Sequence, residues 1–108
     1  MTLGRLGNLK ATTPPPHSAA ASLTDLKNIG PKSAKWMIEA GIDSPARLAE
    51  LGAVESFLRV KARHPRGVSL NMLWALHGAL TNTAYNRLDP EEREMLKAAM
   101  NEAERSQQ

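Results

Sequence analysis

Proline and glycine cut this chain at intervals that short helices fit and little else does. Pro31, Pro45, Pro65 and Pro90 each fix φ and remove a backbone donor, while Gly41 and Gly52 stand where apolar runs stop. Between these marks apolar residues recur three and four apart, and no stretch alternates with the period of a strand. The pattern predicts an all-α chain.

A short first helix carries Leu23 and Leu26 and turns at Asn28-Ile29-Gly30. Pro31 opens a second, where its missing N–H costs nothing; Ala34, Met37 and Ile38 share one face, and Gly41 is the expected left-handed end. Ser44-Pro45 starts a third with Leu48 and Leu51, stopped by Gly52. A fourth runs through Val54, Phe57 and Leu58 and finishes before His64-Pro65. Ser69 caps a fifth, Leu70 to about Leu80, apolar on nearly every side and therefore central. Gly78 inside it costs about 1 kcal/mol relative to alanine, which implies close approach of a neighbouring helix. Asp89-Pro90-Glu91-Glu92 begins the sixth, with Asp89 expected to accept from the Glu92 amide and Leu96, Ala99, Met100 and Ala103 as its inner stripe. The fold class is thus five to six short helices in residues 23–108. Residues 1–22, with Pro14-Pro15-Pro16 and few large apolar side chains, read as an extended, disordered arm, with one turn of helix conceivable at Leu3, Leu6 and Leu9.

Composition narrows the function. At 108 residues one domain is expected, and with aromatics at only 4 % the core must come from Leu, Ile, Val, Ala and Met. The absence of cysteine excludes disulfides, thiolate metal sites and cysteine nucleophiles. No apolar run approaches the roughly 18 residues of a membrane span, and no signal peptide is legible, so a cytoplasmic location without a membrane partner is expected. His17, His64 and His77 fall on arm, loop and helix without metal-ligand spacing. Neither paired inward carboxylates, a nucleophile–base pair nor a P-loop occurs, so the reading is a non-enzyme with no cofactor and no small-molecule substrate.

The net charge is +3, unevenly spread. Residues 23–67 hold eight basic and five acidic groups, whereas residues 68–108 hold four basic and six acidic. An anionic partner is expected at the first half.

Leu23 to Ile42 resembles a helix-hairpin-helix: apolar residues on a short helix, an apolar-glycine turn at Ile29-Gly30, and a second helix with Ala34 four positions on. Ile29 pins the turn, Gly30 is expected to take a conformation that a side chain would obstruct, and Ala34 lets the helices approach. Such a corner aims backbone N–H groups outward from a helix start, a ready anion site. Lys27, Asn28, Gly30, Lys32, Ser33 and Lys35 are the candidate contacts to a DNA phosphate backbone. Many DNA-binding hairpins have glycine where Asn28 stands, and asparagine tolerates the same left-handed geometry.

The likeness extends further. Leu26 to Pro31, Ala40-Gly41-Ile42, Leu48 to Ala53, and Asn71 to Leu80 resemble, in order and spacing, the C-terminal domain of the TfoX (Sxy) competence regulators, over roughly residues 23–100. The family pattern has an acid where His77 stands, and full-length members carry a preceding α/β domain for which no strand-like sequence is present here. The resemblance implies a bacterial role in competence and transcription regulation, with weak DNA contact that does not read sequence. The alternative is a protein-interaction module, an adaptor for a transcription protein or a self-associating domain, that binds no nucleic acid.

The remaining candidates divide similarly. Arg59, Lys61, Arg63 and Arg66 gather at the end of the fourth helix, where cations suit the helix dipole; a second phosphate contact is the functional reading. Trp36, off the apolar face, is expected to pack under a loop rather than offer a stacking platform. Trp74 and Met37, Met72, Met95 and Met100 read as core, and His77 as a partly buried, hydrogen-bonded side chain.

Overall fold

The computed structural model describes residues 22–106. After one helical turn at residues 22–24 come four helices, α1 (Pro31–Glu39), α2 (Pro45–Arg63), α3 (Leu70–Thr81) and α4 (Pro90–Ser106), with a 3₁₀ turn at Tyr85–Arg87. Among the described residues there is no strand. The expected arm, and the turn of helix at Leu3 to Leu9, lie outside the described residues.

The local signals are realised closely. Pro31, Pro45 and Pro90 are each the first residue of a helix. Gly41 has φ 90°, and the last turn of α1 closes as a Schellman motif: the Ile42 amide donates to the Met37 carbonyl at 2.8 Å and the Gly41 amide to Ile38 at 3.0 Å. Met37 and Ile42 are both fully buried, which supplies the apolar contact that accompanies that motif. Ser44 caps α2 by accepting from the Arg47 amide at 3.0 Å. The expected third and fourth helices form one element broken at Gly52, whose φ of 83° and ψ of 166° leave the helical region for a single residue.

Four expectations are corrected. The first helix ends before Leu26, because the Leu26 amide bonds Leu23 and the Ile29 amide bonds Leu26 in successive tight turns. Ser69 stands at the cap position of α3 without making a side-chain bond. At the start of α4 the expected bond is replaced by its reverse, with the Asp89 amide donating to Glu92 Oε1 at 3.4 Å. Along α4, Leu96, Met100 and Ala103 face the core, whereas Ala99 and Met95 are exposed. The cause is a narrow seam: α4 buries apolar side chains at positions i, i+4 and i+7.

The core centres on α3, where Met72 to Leu76 are all buried. Of its large apolar residues, only Leu70 and Leu80 near the ends reach the surface. Ala34 and Met37 of α1, Leu48, Phe57 and Val60 of α2, and Leu96 and Met100 of α4 close around it. Each fully buried leucine here stabilises by roughly 1.5–3 kcal/mol relative to an exposed one. No described helix is long and apolar enough to cross a membrane.

Ser56 is fully buried among these groups, and its Oγ has no hydrogen-bond partner. A buried hydroxyl without a partner costs free energy that alanine would not. Ser56→Ala is therefore expected to raise stability by about 1 kcal/mol. The check is the urea midpoint, which should move up at constant slope; a lower midpoint would mean that the hydroxyl is needed.

Candidate functional site

The hairpin turn divides its conformational work differently from the sequence expectation. Gly30 is extended, with φ −95° and ψ −179°, a conformation open to any residue, and a β-carbon there would meet nothing within 4 Å. The left-handed residue is Asn28, at φ 75°. Ile29 is buried as expected, and Ala34, fully buried, donates its amide to the Gly30 carbonyl at 2.9 Å.

Asn28 also anchors the turn. Its Nδ2 donates to the Thr83 carbonyl at 2.8 Å and more distantly to Ala75 at 3.4 Å, and its Oδ1 accepts from the Tyr85 amide at 3.1 Å. Gly78 makes room for this. A β-carbon at Gly78 would collide with the Thr83 carbonyl oxygen and with Asn28 Nδ2. The close approach inferred at Gly78 is real, but its agent is a side chain and a loop carbonyl rather than a helix.

At the tip, Lys27, Gly30, Pro31, Lys32 and Lys35 are exposed and Ser33 is half-buried. The first turn of α1 has no side-chain cap. The amides of Gly30, Lys32 and Ser33 find no acceptor among the described residues. Four of the six candidate contacts thus stay open at the surface, Ser33 is half-buried, and Asn28 turns its amide inward.

Trp36 packs as expected against a loop. Its ring stacks on His64 with centroids 4.6 Å apart, and a β-carbon at Gly67 would come within 2.8 Å of it. Lys32 Nζ lies 4.9 Å from the ring centre, and His64 Nε2 is 2.9 Å from Glu39 Oε1. Beside this contact opens a cleft of about 290 Å³, lined by Lys32, Ser33, Trp36, Ser69, Asn71 and Tyr85 among others, with no acidic residue in its wall. Sequence reasoning missed Asn71, Tyr85 and Gly67, because no local pattern marks a wall assembled from three distant segments.

The second basic patch separates into two kinds. Arg59 bonds Glu55 at 2.9 Å and Lys61 bonds Glu104 of α4 at 3.0 Å. Arg63 and Arg66 are exposed and have no ion-pair partner among the described residues. His77 meets Glu92 at 3.2 Å, the partly buried, hydrogen-bonded state expected of it. Among the described residues, no group of three His, Cys, Asp or Glu is placed to hold a metal.

Helices alone among the described residues, an exposed hairpin tip and an acid-free cleft bordered by Lys32 define a helix-hairpin-helix-like module. The family model for the TfoX C-terminal domain matches residues 19–100, and the chain belongs to that family. It is also similar to a crystal structure of an uncharacterised protein from Listeria monocytogenes, with 33% identity and a TM-score of 0.68, covering 76% of this chain and 92% of that one. No curated protein matches it.

Three variants test the anchor. Gly78→Ala gains about 1 kcal/mol of helix propensity but must displace backbone at Thr83, so a net loss of about 1–3 kcal/mol is expected in chemical denaturation. Asn28→Gly keeps the left-handed turn and loses the three bonds, whereas Asn28→Ala loses both. The alanine variant should be the less stable by about 1 kcal/mol, and hydrogen exchange at the Tyr85 amide should quicken in each. Equal stabilities would remove the left-handed conformation from the account.

Proposed function

We propose that this domain is a non-catalytic regulatory module that holds nucleic-acid phosphates weakly, without reading sequence, at the exposed start of α1. One observation carries the reading: the Gly30, Lys32 and Ser33 amides, at a helix start, have no acceptor among the described residues. Partial positive charge gathers at such a start, and Lys27, Lys32 and Lys35 surround it in the open. Gly30 adds bare backbone at a position where folding alone does not require glycine. Membership of the TfoX C-terminal domain family supports a setting in competence and transcription regulation. One or two phosphate contacts give little affinity, and each adds about 0.9 to the slope of log affinity against log salt, so binding is weak and strongly salt-dependent.

A helical adaptor for another protein is the second reading. Met95 at 62% exposure on α4 and Leu80 at 39% on α3 favour it, since both leave apolar surface uncovered.

The test is Lys32→Glu combined with Lys35→Glu. An acid in the first turn suits the helix dipole, so helicity should persist. Fluorescence anisotropy of a generic duplex at low salt should rise with the native domain and stay flat with the variant. Unaltered binding by the variant rejects the hairpin as the contact. No binding by the native domain, together with a mass that grows with concentration, selects the adaptor.

A further inference from the structure

Two basic segments lie apart in the chain, Lys27 to Lys35 and Arg59 to Arg66, and the fold sets Lys32 of the first beside the turn that ends the second. Trp36 makes the join. It carries Lys32 on its ring, stacks on His64 and seats Gly67 against its edge. Arg63 precedes His64 and Arg66 precedes Gly67, so the turn that Trp36 holds is flanked by both arginines. Arg59 and Lys61, by contrast, are spent on Glu55 and Glu104. The acid that reaches this turn, Glu39, is engaged by His64.

We infer that the hairpin tip, the cleft and the His64–Gly67 turn form one surface for a linear polyanion, with Arg63 and Arg66 supplying a second phosphate contact beyond that of the hairpin. The inference rests on the nucleic-acid reading of the hairpin and extends it. A small anion would engage one cation cluster alone. A nucleic-acid backbone repeats its charge along its length and meets both clusters across the cleft. The cleft suits that passage, since Ser33, Ser69 and Asn71 offer hydroxyl and amide donors and no carboxylate opposes a phosphate. Charge complementarity therefore selects a nucleic-acid backbone. An acidic protein is the outcome to be excluded.

Anisotropy titrations of a generic duplex between 50 and 200 mM salt decide the matter, with circular dichroism confirming each fold. Arg63→Gln with Arg66→Gln is expected to weaken binding several-fold and to lower the salt slope by about 1 to 2. Arg59→Gln with Lys61→Gln should leave the slope where it is. During titration of the native domain, amide shifts should move at Arg66 and Gly67 as well as at Gly30 to Ser33. An unchanged slope for the Arg63/Arg66 variant, with Lys32→Glu/Lys35→Glu still abolishing binding, overturns this inference and leaves the hairpin reading standing. No binding by the native domain overturns both. Polyglutamate bound as tightly as duplex would assign the surface to an acidic protein.

Discussion

The geometry of this domain depends on one side chain. Asn28 bonds to backbone groups at Ala75, Thr83 and Tyr85, roughly half the chain away, and so ties the hairpin to the far end of α3. Apolar burial cannot do this by itself, because it is non-directional and scales with area. A core of leucine, methionine and alanine on short helices admits several packings of similar burial, and no disulfide chooses between them. A half-buried amide that must find its acceptors does choose, since each alternative packing leaves polar groups unpaired at a cost of about 1–3 kcal/mol apiece. Gly78, which keeps the seat vacant, and Asn82, left-handed at φ 54° just before Thr83, complete the same device.

That anchor has a consequence at the hairpin tip. In a turn built on glycine, the left-handed conformation and the bare backbone fall to the same kind of residue. Here they are separated. Asn28 takes the left-handed position and spends its side chain inward, while Gly30 sits extended and free of neighbours. The departure from the pattern of DNA-binding hairpins thus leaves the turn intact and moves its fixing point into the core. The helix start stays exposed, and its amide donors have no acceptor among the described residues.

Legibility in the sequence followed the reach of each signal. Proline at a helix start, the Gly41 end, the Ser44 cap and the break at Gly52 each depend on residues within about one turn, and all were readable. Gly78 announced a close approach but not its agent, because Asn28 lies fifty residues earlier in the chain. Ala99 and Met95 satisfied helical periodicity and still face outward, because the width of the buried seam is set by the partner helix. The site divides the same way. Its lysines were visible as charge, whereas the cleft that Lys32 borders exists only once α1, the turn after α2, and the loop at Tyr85 are assembled.

Charge asymmetry along the chain becomes asymmetry in space through Trp36 and α4 together. The acid-rich last third folds mainly into α4, where Glu104 meets Lys61 and Glu92 meets His77. The Lys61–Glu104 pair neutralises one cation on the side of the molecule facing α4. Elsewhere, Trp36 draws the His64–Gly67 turn against α1, so Arg63 and Arg66 flank a turn that packs beside Lys32, with Glu39 bonded to His64. Exposed pairs of this kind contribute little to stability, about 0–1 kcal/mol each. Their arrangement matters for the field outside the molecule instead. A net charge of only +3 can still steer a polyanion when five of the eleven acids lie on α4 and the cleft beside Lys32 has none in its wall.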